Sequence, residues 1–263
     1  MSRSDATGTP IDPRIRQRRE QVERSRTQKR LRWLAAAGGV VALVVVGVVL
    51  LHTPLFEAKV VTITGDHPNT TDTAIESAAG LLGHPPLISV DPGPTAARVE
   101  TLPFIASATV TRHWPDSVTV HVTARRPVAI MAGPAPDWST LDGDGRTLQV
   151  TPGAPALPVL GVRTPTGSLA PAVVGGTIGP AADPGLEVAR TLPPAFAGQV
   201  VSITVAPDGT VSLALTSDLM VLLGTVSDLE AKYEDVAAIL AHADLVGVHT
   251  IDVTVPQSPT TGR

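Results

Sequence analysis

One stretch of the chain carries no charged or polar side chain for eighteen positions, from Leu34 to Leu51. As an α-helix, a stretch of this length spans about 27 Å, close to the hydrocarbon thickness of a bilayer. A buried core helix would show a polar face, and a cleaved signal sequence would have a shorter apolar region followed by a small-residue cleavage site. The sequence therefore predicts an uncleaved transmembrane helix over residues 33–52, with the indole of Trp33 at the interface.

A mixed pattern of strands and helices follows. A β-branched strand over Phe56–Thr64 precedes a helix with capping side chains in Asn69–Asp72, and a second short helix is predicted over Pro94–Leu102. Apolar and polar residues then alternate over 108–113 and 118–123, which predicts two strands joined by a tight turn. The order strand, helix, helix, strand, strand is typical of a compact α+β module with its helices on one face of a small sheet.

The second half of the chain predicts a larger β-rich module. Its strand candidates are Val128–Met131, Thr147–Val150, Val200–Val205, Val211–Leu215 and Leu219–Leu223. The last three are separated by tight-turn residues and predict an antiparallel meander. A helix with an apolar stripe over 229–240 and a final strand over Val248–Val255 complete the module.

The charge of the chain is divided between two regions of opposite sign. Residues 1–32 hold ten Lys/Arg and four Asp/Glu, whereas the remaining residues hold ten Lys/Arg and twenty Asp/Glu. Basic residues before a membrane span keep that side in the cytoplasm. We therefore expect a cytoplasmic basic tail over 1–32 and an extracytoplasmic remainder, although a basic tail of this kind also fits nucleic-acid binding.

The most specific sequence pattern lies between Leu102 and Ala129. It combines a Leu-Pro pair at 102–103, an Ala-x-Val-x-Arg-x-Trp-Pro strand and turn over Ala108–Pro115, and Arg125-Arg126-Pro127-Val128-Ala129. This pattern resembles the FtsQ/DivIB family of bacterial division proteins, with Arg125-Arg126 where the family usually has Glu-Arg. The chain resembles the actinobacterial members of that family, and its Arg-, Ala-, Pro- and Gly-rich composition is typical of a GC-rich genome.

The resemblance implies an α+β fold, in which the transmembrane helix is followed by a POTRA domain and an antiparallel β domain with a C-terminal helix and strand. The implied limits are 55–124 for the POTRA domain, 125–256 for the β domain and 257–263 for a disordered tail. It also implies a non-enzymatic divisome scaffold, single-pass in the cell membrane and concentrated at the division septum. The implied partners are FtsB-like and FtsL-like bitopic proteins, with the septal transpeptidase and its FtsW-like partner as further candidates.

The final strand is the candidate partner-binding site. It can lie at a sheet edge, where unpaired backbone groups accept a partner strand, and Pro256 with the polar tail would block further self-pairing. The predicted binding residues are Thr250, Ile251, Asp252, Val253, Thr254 and Val255.

The family motif supplies the other candidate residues. They are Arg112, Trp114, Pro115, Arg126 and Pro127. We expect Trp114 to pack under its turn and Arg112 to pair with a nearby carboxylate. Arg125 and Arg126 are expected at a hinge between the two domains, where a charge pair would fix their angle.

No catalytic or metal-binding pattern stands out. The chain has no cysteine, its seven histidines show no ligand spacing, and the Asp142–Gly145 stretch lacks the distal ligands of a calcium loop and predicts a hairpin turn. We therefore predict no catalytic residues, no metal, no cofactor and no small-molecule substrate. Two other functions compete with the scaffold: a different POTRA-bearing export or assembly factor, and an anchored cell-wall hydrolase or peptidase.

Overall fold

The computed structural model describes residues 32–49, 56–242, 245–256 and 258–262. Its first helix, α1 (Arg32–Val49), has 18 residues and a mean hydropathy of 2.1, and none of it is buried inside the protein. Length and composition therefore allow α1 to cross a membrane. Residues 1–31 of the basic tail predicted over 1–32, and the predicted end of the span over 50–52, lie outside the described residues, whereas Arg32 begins α1.

The first module is a three-stranded sheet with two helices on one face. Its strand order is β1–β3–β2, with β1 parallel and β2 antiparallel to β3. The elements in chain order are β1 (Val60–Thr64), α2 (Asp72–Ala79), α3 (Pro92–Val99), β2 (Ile105–His113) and β3 (Ser117–Ala124). The sequence predicted this order, although the first strand begins at Val60 rather than Phe56.

Alternation along β3 gives this sheet a buried face and a polar face. Val118, Val120 and Val122 are buried against the helices, whereas Thr123 and His121 on the opposite face are exposed. The predicted helix cap is also present, because the Thr71 hydroxyl accepts a hydrogen bond from the backbone N–H of Ala74 at 3.2 Å.

The second module is a ten-stranded mixed sheet. Its order is β13–β12–β11–β10–β9–β7–β4–β5–β6, with β8 paired to β7. The strands are β4 (Pro127–Ala132), β5 (Asp137–Asp142), β6 (Thr147–Pro152), β7 (Val159–Thr164), β8 (Gly167–Ser168), β9 (Val200–Val205), β10 (Val211–Leu215), β11 (Met220–Gly224), β12 (Thr250–Asp252) and β13 (Thr260–Gly262). Its helices are α4 (Asp183–Thr191), α5 (Pro194–Ala197) and α6 (Leu229–His242).

The α+β class is confirmed, but the expectation of an antiparallel second sheet was wrong in part. The β9–β10–β11 meander is antiparallel, whereas β4 with β7, β7 with β9, and β11 with β12 are parallel pairs. Parallel neighbours need crossover connections, and α4 and α6 lie in two of these connections.

Each sheet has its own hydrophobic core. One cluster of buried residues runs from Ala58 to Val122, and the other runs from Ala129 to Val253. We propose on this basis that 55–124 and 125–256 are two domains. The tail over 257–263 was predicted to be disordered, but its residues Thr260–Gly262 form the strand β13.

Gly65 ends β1 at a point where the backbone leaves no room for a side chain. Its φ is +101°, and a Cβ there would lie 1.9 Å from the carbonyl oxygen of Val122. We predict that Gly65→Ala destabilises the protein by at least about 2 kcal/mol, because it combines backbone strain with a steric clash. Urea unfolding of the full chain in detergent, followed by circular dichroism, measures this loss.

Gly83→Ala is the matched control for that substitution. A Cβ at Gly83 meets nothing within 4 Å, so its substitution should leave the unfolding midpoint almost unchanged. Equal effects of the two substitutions would contradict the steric explanation.

His67 connects the end of β1 to the start of α2. Its Nδ1 lies 2.9 Å from the Gly65 carbonyl oxygen and its Nε2 lies 2.7 Å from an Asp72 carboxylate oxygen. Because both ring nitrogens face acceptors, the doubly protonated ring is favoured. The bond to Asp72, followed by the bond to Gly65, raises the pKa of His67 above its ordinary value.

A raised histidine pKa gives stability that is complete below the unfolded-state pKa and is lost as the pH rises through the folded-state pKa. We predict that Asp72→Asn lowers the pKa of His67 in an NMR titration of its imidazole signals. Glu76→Gln in the same helix serves as the control and should change that pKa much less. An unchanged pKa in the Asp72 variant would disprove the proposed interaction.

Candidate interaction surface

The predicted binding residues follow a strand that is built into the second sheet. β12 covers only Thr250–Asp252 and runs parallel to β11, with Thr250 opposite Met220 and Asp252 opposite Leu222. The pairing extends one residue further, because the Val253 N–H donates to the Leu222 carbonyl oxygen at 3.0 Å. The predicted strand over Val248–Val255 is therefore shorter in the structure.

The six predicted residues fall into two groups by burial. Ile251 and Val253 are completely buried and belong to the core of the second sheet. Thr250 and Asp252 are half-buried, whereas Thr254 and Val255 are exposed. Side chains alternate along a strand, so only the second group can contact a partner directly. The interpretation of Ile251 and Val253 as contact residues was wrong, because their side chains hold β12 to its own core.

The outer side of β12 is occupied by β13. Thr260, Thr261 and Gly262 pair antiparallel with Asp252, Ile251 and Thr250, and the His249 N–H donates to the Gly262 carbonyl oxygen at 3.0 Å. The prediction that β12 is the edge strand was therefore wrong, since the segment after Pro256 folds back onto it. All three β13 residues are exposed, so this strand is held by backbone pairing with almost no core burial.

The start of α6 is tied to the end of β11 by a buried lysine. Lys232 has no exposed surface, and its Nζ donates to the carbonyl oxygens of Leu223 at 2.9 Å and Thr225 at 2.7 Å. Burial lowers the pKa of Lys232, because desolvation disfavours its charged form. These bonds fix β11, and with it the neighbouring strand β12, relative to the helix.

A groove of about 750 Å³ lies between α4 and α6. Its carboxylates are Glu187, which pairs with Arg190, and the exposed Glu230 and Glu234. The Tyr233 hydroxyl is 3.1 Å from the Thr191 hydroxyl, so it is already partnered. The part of the chain that the structure describes has no group of three or more His, Cys, Asp or Glu side chains that could hold a metal ion.

Arg125 contacts both sheets, and its role at a hinge between them remains a prediction. Its guanidinium donates to the Ile105 carbonyl oxygen at 3.1 Å and forms a 2.7 Å ion pair with Asp142. The Asp142 carboxylate also accepts the backbone N–H groups of Asp144 and Arg146, at 3.0 and 2.8 Å. The Asp142–Gly145 stretch is thus the turn between β5 and β6, as predicted.

The structure does not bear out the packing expected for Trp114 or the ion pair expected for Arg112. Trp114 is 51% exposed and packs edge-on against Phe56, with ring centroids 6.0 Å apart, so it does not pack under its turn. Arg112 is half-buried and forms no ion pair with any residue that the structure describes. Arg126 and Pro127 are exposed at the junction, and Pro115 lies in the turn beside Trp114.

Comparison with known proteins agrees with this architecture. Residues 56–125 match the family model for the FtsQ-type POTRA domain, and residues 129–254 match that for the C-terminal region of cell division protein FtsQ/DivIB. Cell division protein FtsQ of Mycobacterium tuberculosis is 30% identical over 238 residues, which cover 88% of this chain and 69% of that protein. The chain belongs to the FtsQ/DivIB family.

Two further proteins were found in the same comparisons. FtsQ of Streptomyces griseus is 31% identical over 193 residues, covering 72% of this chain and 89% of that protein. The extracytoplasmic domain of DivIB from Geobacillus stearothermophilus has a TM-score of 0.30 and 22% identity, covering 46% of this chain and 97% of that chain.

Family membership settles the class of protein. This is a non-enzymatic cell division protein with an FtsQ-type POTRA domain and an N-terminal apolar helix. The hydrolase or peptidase hypothesis was therefore wrong, and so was the hypothesis of an export or assembly factor.

The contribution of the Arg125–Asp142 ion pair to stability can be tested directly. We predict that Arg125→Ala lowers the free energy of unfolding by about 3 kcal/mol, because the nearly buried Asp142 loses its counter-ion. Arg126→Ala is the control, since Arg126 is exposed and should change the unfolding free energy little. Equal urea midpoints for the two variants would show that the ion pair does not hold the junction.

Proposed function

We propose that the chain is a divisome scaffold that binds other bitopic division proteins through its extracytoplasmic domain and helps to organise septal cell-wall synthesis. The proposed partners are FtsB-like and FtsL-like proteins, and the septal transpeptidase with its FtsW-like partner could join the same complex. Family membership supports the role in division. The observation that supports binding is the position of β12 and β13 at one end of a ten-stranded sheet.

We propose that the protein is anchored in the cell membrane by α1, with its N-terminus in the cytoplasm, and that it is concentrated at the septum. The length and hydropathy of α1 support the span, and the basic residues before it support the orientation. In this arrangement both sheets lie outside the membrane, where the partners' extracytoplasmic segments are located.

The proposed binding mode is addition of a partner strand to β12 in place of β13. A strand edge offers a row of N–H and C=O groups that any extended chain can complete, and nearby side chains then provide specificity. Thr250, Asp252, Thr254 and Val255 are the residues of this segment available for side-chain contacts. Ile251 and Val253 act indirectly, by fixing β12 in the core.

β13 is suited to being displaced. It pairs over three residues, all of them exposed, so few contacts other than backbone hydrogen bonds hold it. Each such bond contributes only about 0.5–1.5 kcal/mol net. A longer partner strand can form the same bonds and add its own side-chain burial.

Weakening β13 should therefore strengthen partner binding. We predict that Thr260→Pro increases the affinity for the extracytoplasmic segments of the FtsB-like and FtsL-like proteins by about tenfold, because Thr260 lies opposite Asp252, whose backbone groups face β13, and proline there cannot donate a backbone hydrogen bond to β12. Isothermal titration calorimetry with the full chain in detergent measures the affinity.

Thr260→Ala is the matched control, since it keeps the backbone donor and should leave the affinity close to that of the unmodified chain. A reduced affinity in the proline variant would mean that the partner docks onto β13 and does not replace it. Absence of binding in all three proteins would contradict the proposed function itself.

The exposed end of the same segment tests where the partner sits. We predict that Val255→Glu weakens partner binding at least about tenfold, because Val255 is 62% exposed beside β12 and would meet the incoming strand. Val150→Glu is the control, since Val150 is a similarly exposed valine in β6 at the opposite end of the sheet. Equal loss in both variants, or loss only on unfolding, would disprove this location.

A further inference from the structure

The exposed large apolar side chains of the POTRA domain are gathered at one end of it. Four such residues occur between positions 56 and 125, and their exposed fractions are 52% for Val60, 50% for Leu82, 40% for Ile88 and 51% for Trp114. Single exposed apolar residues are normal, but a contiguous group marks an interaction surface.

Backbone contacts show that these residues surround the segment by which the chain reaches the first sheet. The N–H groups of Lys59 and Val60 donate to the Asp116 carbonyl oxygen at 2.9 and 3.2 Å, which places the Trp114 turn beside the start of β1. The Phe56 ring packs against the Trp114 indole on the same side.

The loop that carries Leu82 and Ile88 contacts the same segment. The Ala58 N–H donates to the Pro85 carbonyl oxygen at 3.0 Å, and the His84 Nδ1 lies 2.9 Å from the Ala58 carbonyl oxygen. Glu57 and Pro86 form an isolated β-bridge. We call Phe56, Val60, Leu82, Ile88 and Trp114 the apolar collar.

The collar is attached to α1 by a short length of chain. Phe56 is seven residues beyond Val49, the end of α1, so the two are at most about 25 Å apart even if that chain is fully extended. The headgroup layer on each side of the hydrocarbon is about 5–8 Å thick. A POTRA domain tethered in this way is always within reach of the membrane surface.

The composition of the collar fits that surface. Indole rings concentrate at the interface between hydrocarbon and headgroups, and Phe and Leu side chains of interfacial segments are buried at the same boundary. The exposed Lys59 beside them can interact with lipid phosphates. We propose that the collar docks the POTRA domain onto the outer surface of the membrane that α1 crosses, with Trp114 and its apolar neighbours in the headgroup layer. This inference rests on the proposed membrane anchoring. Docking limits the tilt of the POTRA domain relative to the membrane. Because Arg125 bonds to residues of both sheets, docking also limits the orientation of the second sheet.

Quenching of tryptophan fluorescence tests the docking in the full chain. The protein has three tryptophans, Trp33, Trp114 and Trp138, so paired Trp→Phe substitutions leave each one alone in turn. Each variant is placed in nanodiscs whose phospholipids are brominated near the headgroup end of the acyl chain. We expect Trp114 to lose fluorescence to an extent comparable with Trp33, and Trp138, in β5 of the second sheet, to lose much less.

A second substitution tests the collar itself. In the chain with Trp114 alone, Leu82→Ser with Ile88→Ser should reduce the quenching while circular dichroism shows the fold unchanged. Quenching of Trp33 with no more quenching of Trp114 than of Trp138 would overturn the docking proposal but leave the anchor standing. Absence of quenching at Trp33 as well would contradict the proposed anchoring.

Discussion

The need of the outer side of β12 for backbone hydrogen-bond partners is the constraint on which the proposed function depends. An exposed strand edge needs partners for its N–H and C=O groups, and an uncovered edge invites uncontrolled association. In this chain β13 supplies those partners through three exposed residues. The edge is therefore covered by a strand that, in the proposed binding mode, a partner strand replaces.

The remainder of the second sheet holds that edge in place. Ile251 and Val253 bury β12 in the core, and Lys232 ties β11 to α6 through two carbonyl oxygens. At the other end, the ion pair between Arg125 and Asp142 joins this sheet to the POTRA domain. A continuous set of buried contacts thus runs from the POTRA domain to the proposed binding strand, whereas β13 itself lies outside the core.

The sequence was informative where one face of an element is buried and the other is not. Val118, Val120 and Val122 alternate with polar residues, so β3 could be predicted from its period of two.

β5 (Asp137–Asp142) was missed because its last four residues are all buried, which removes the alternation. α4 was missed because Pro184 and Gly185 read as loop residues, although proline is tolerated in the first turn of a helix. β13 could not be predicted because its residues show no apolar pattern, and only its pairing with β12 makes it a strand. The sequence also could not show that Ile251 is buried, because the burial of its side chain depends on how β12 packs in the folded sheet.

Hydrogen exchange on the full chain, with and without the FtsB-like and FtsL-like extracytoplasmic segments, tests the central claim most directly. If the partner strand replaces β13, the amides of Thr260 and Gly262, which face β12, lose protection on binding while those of Thr250 and Asp252 remain protected or gain protection. Unchanged or increased protection of Thr260 and Gly262 in the bound state would contradict displacement.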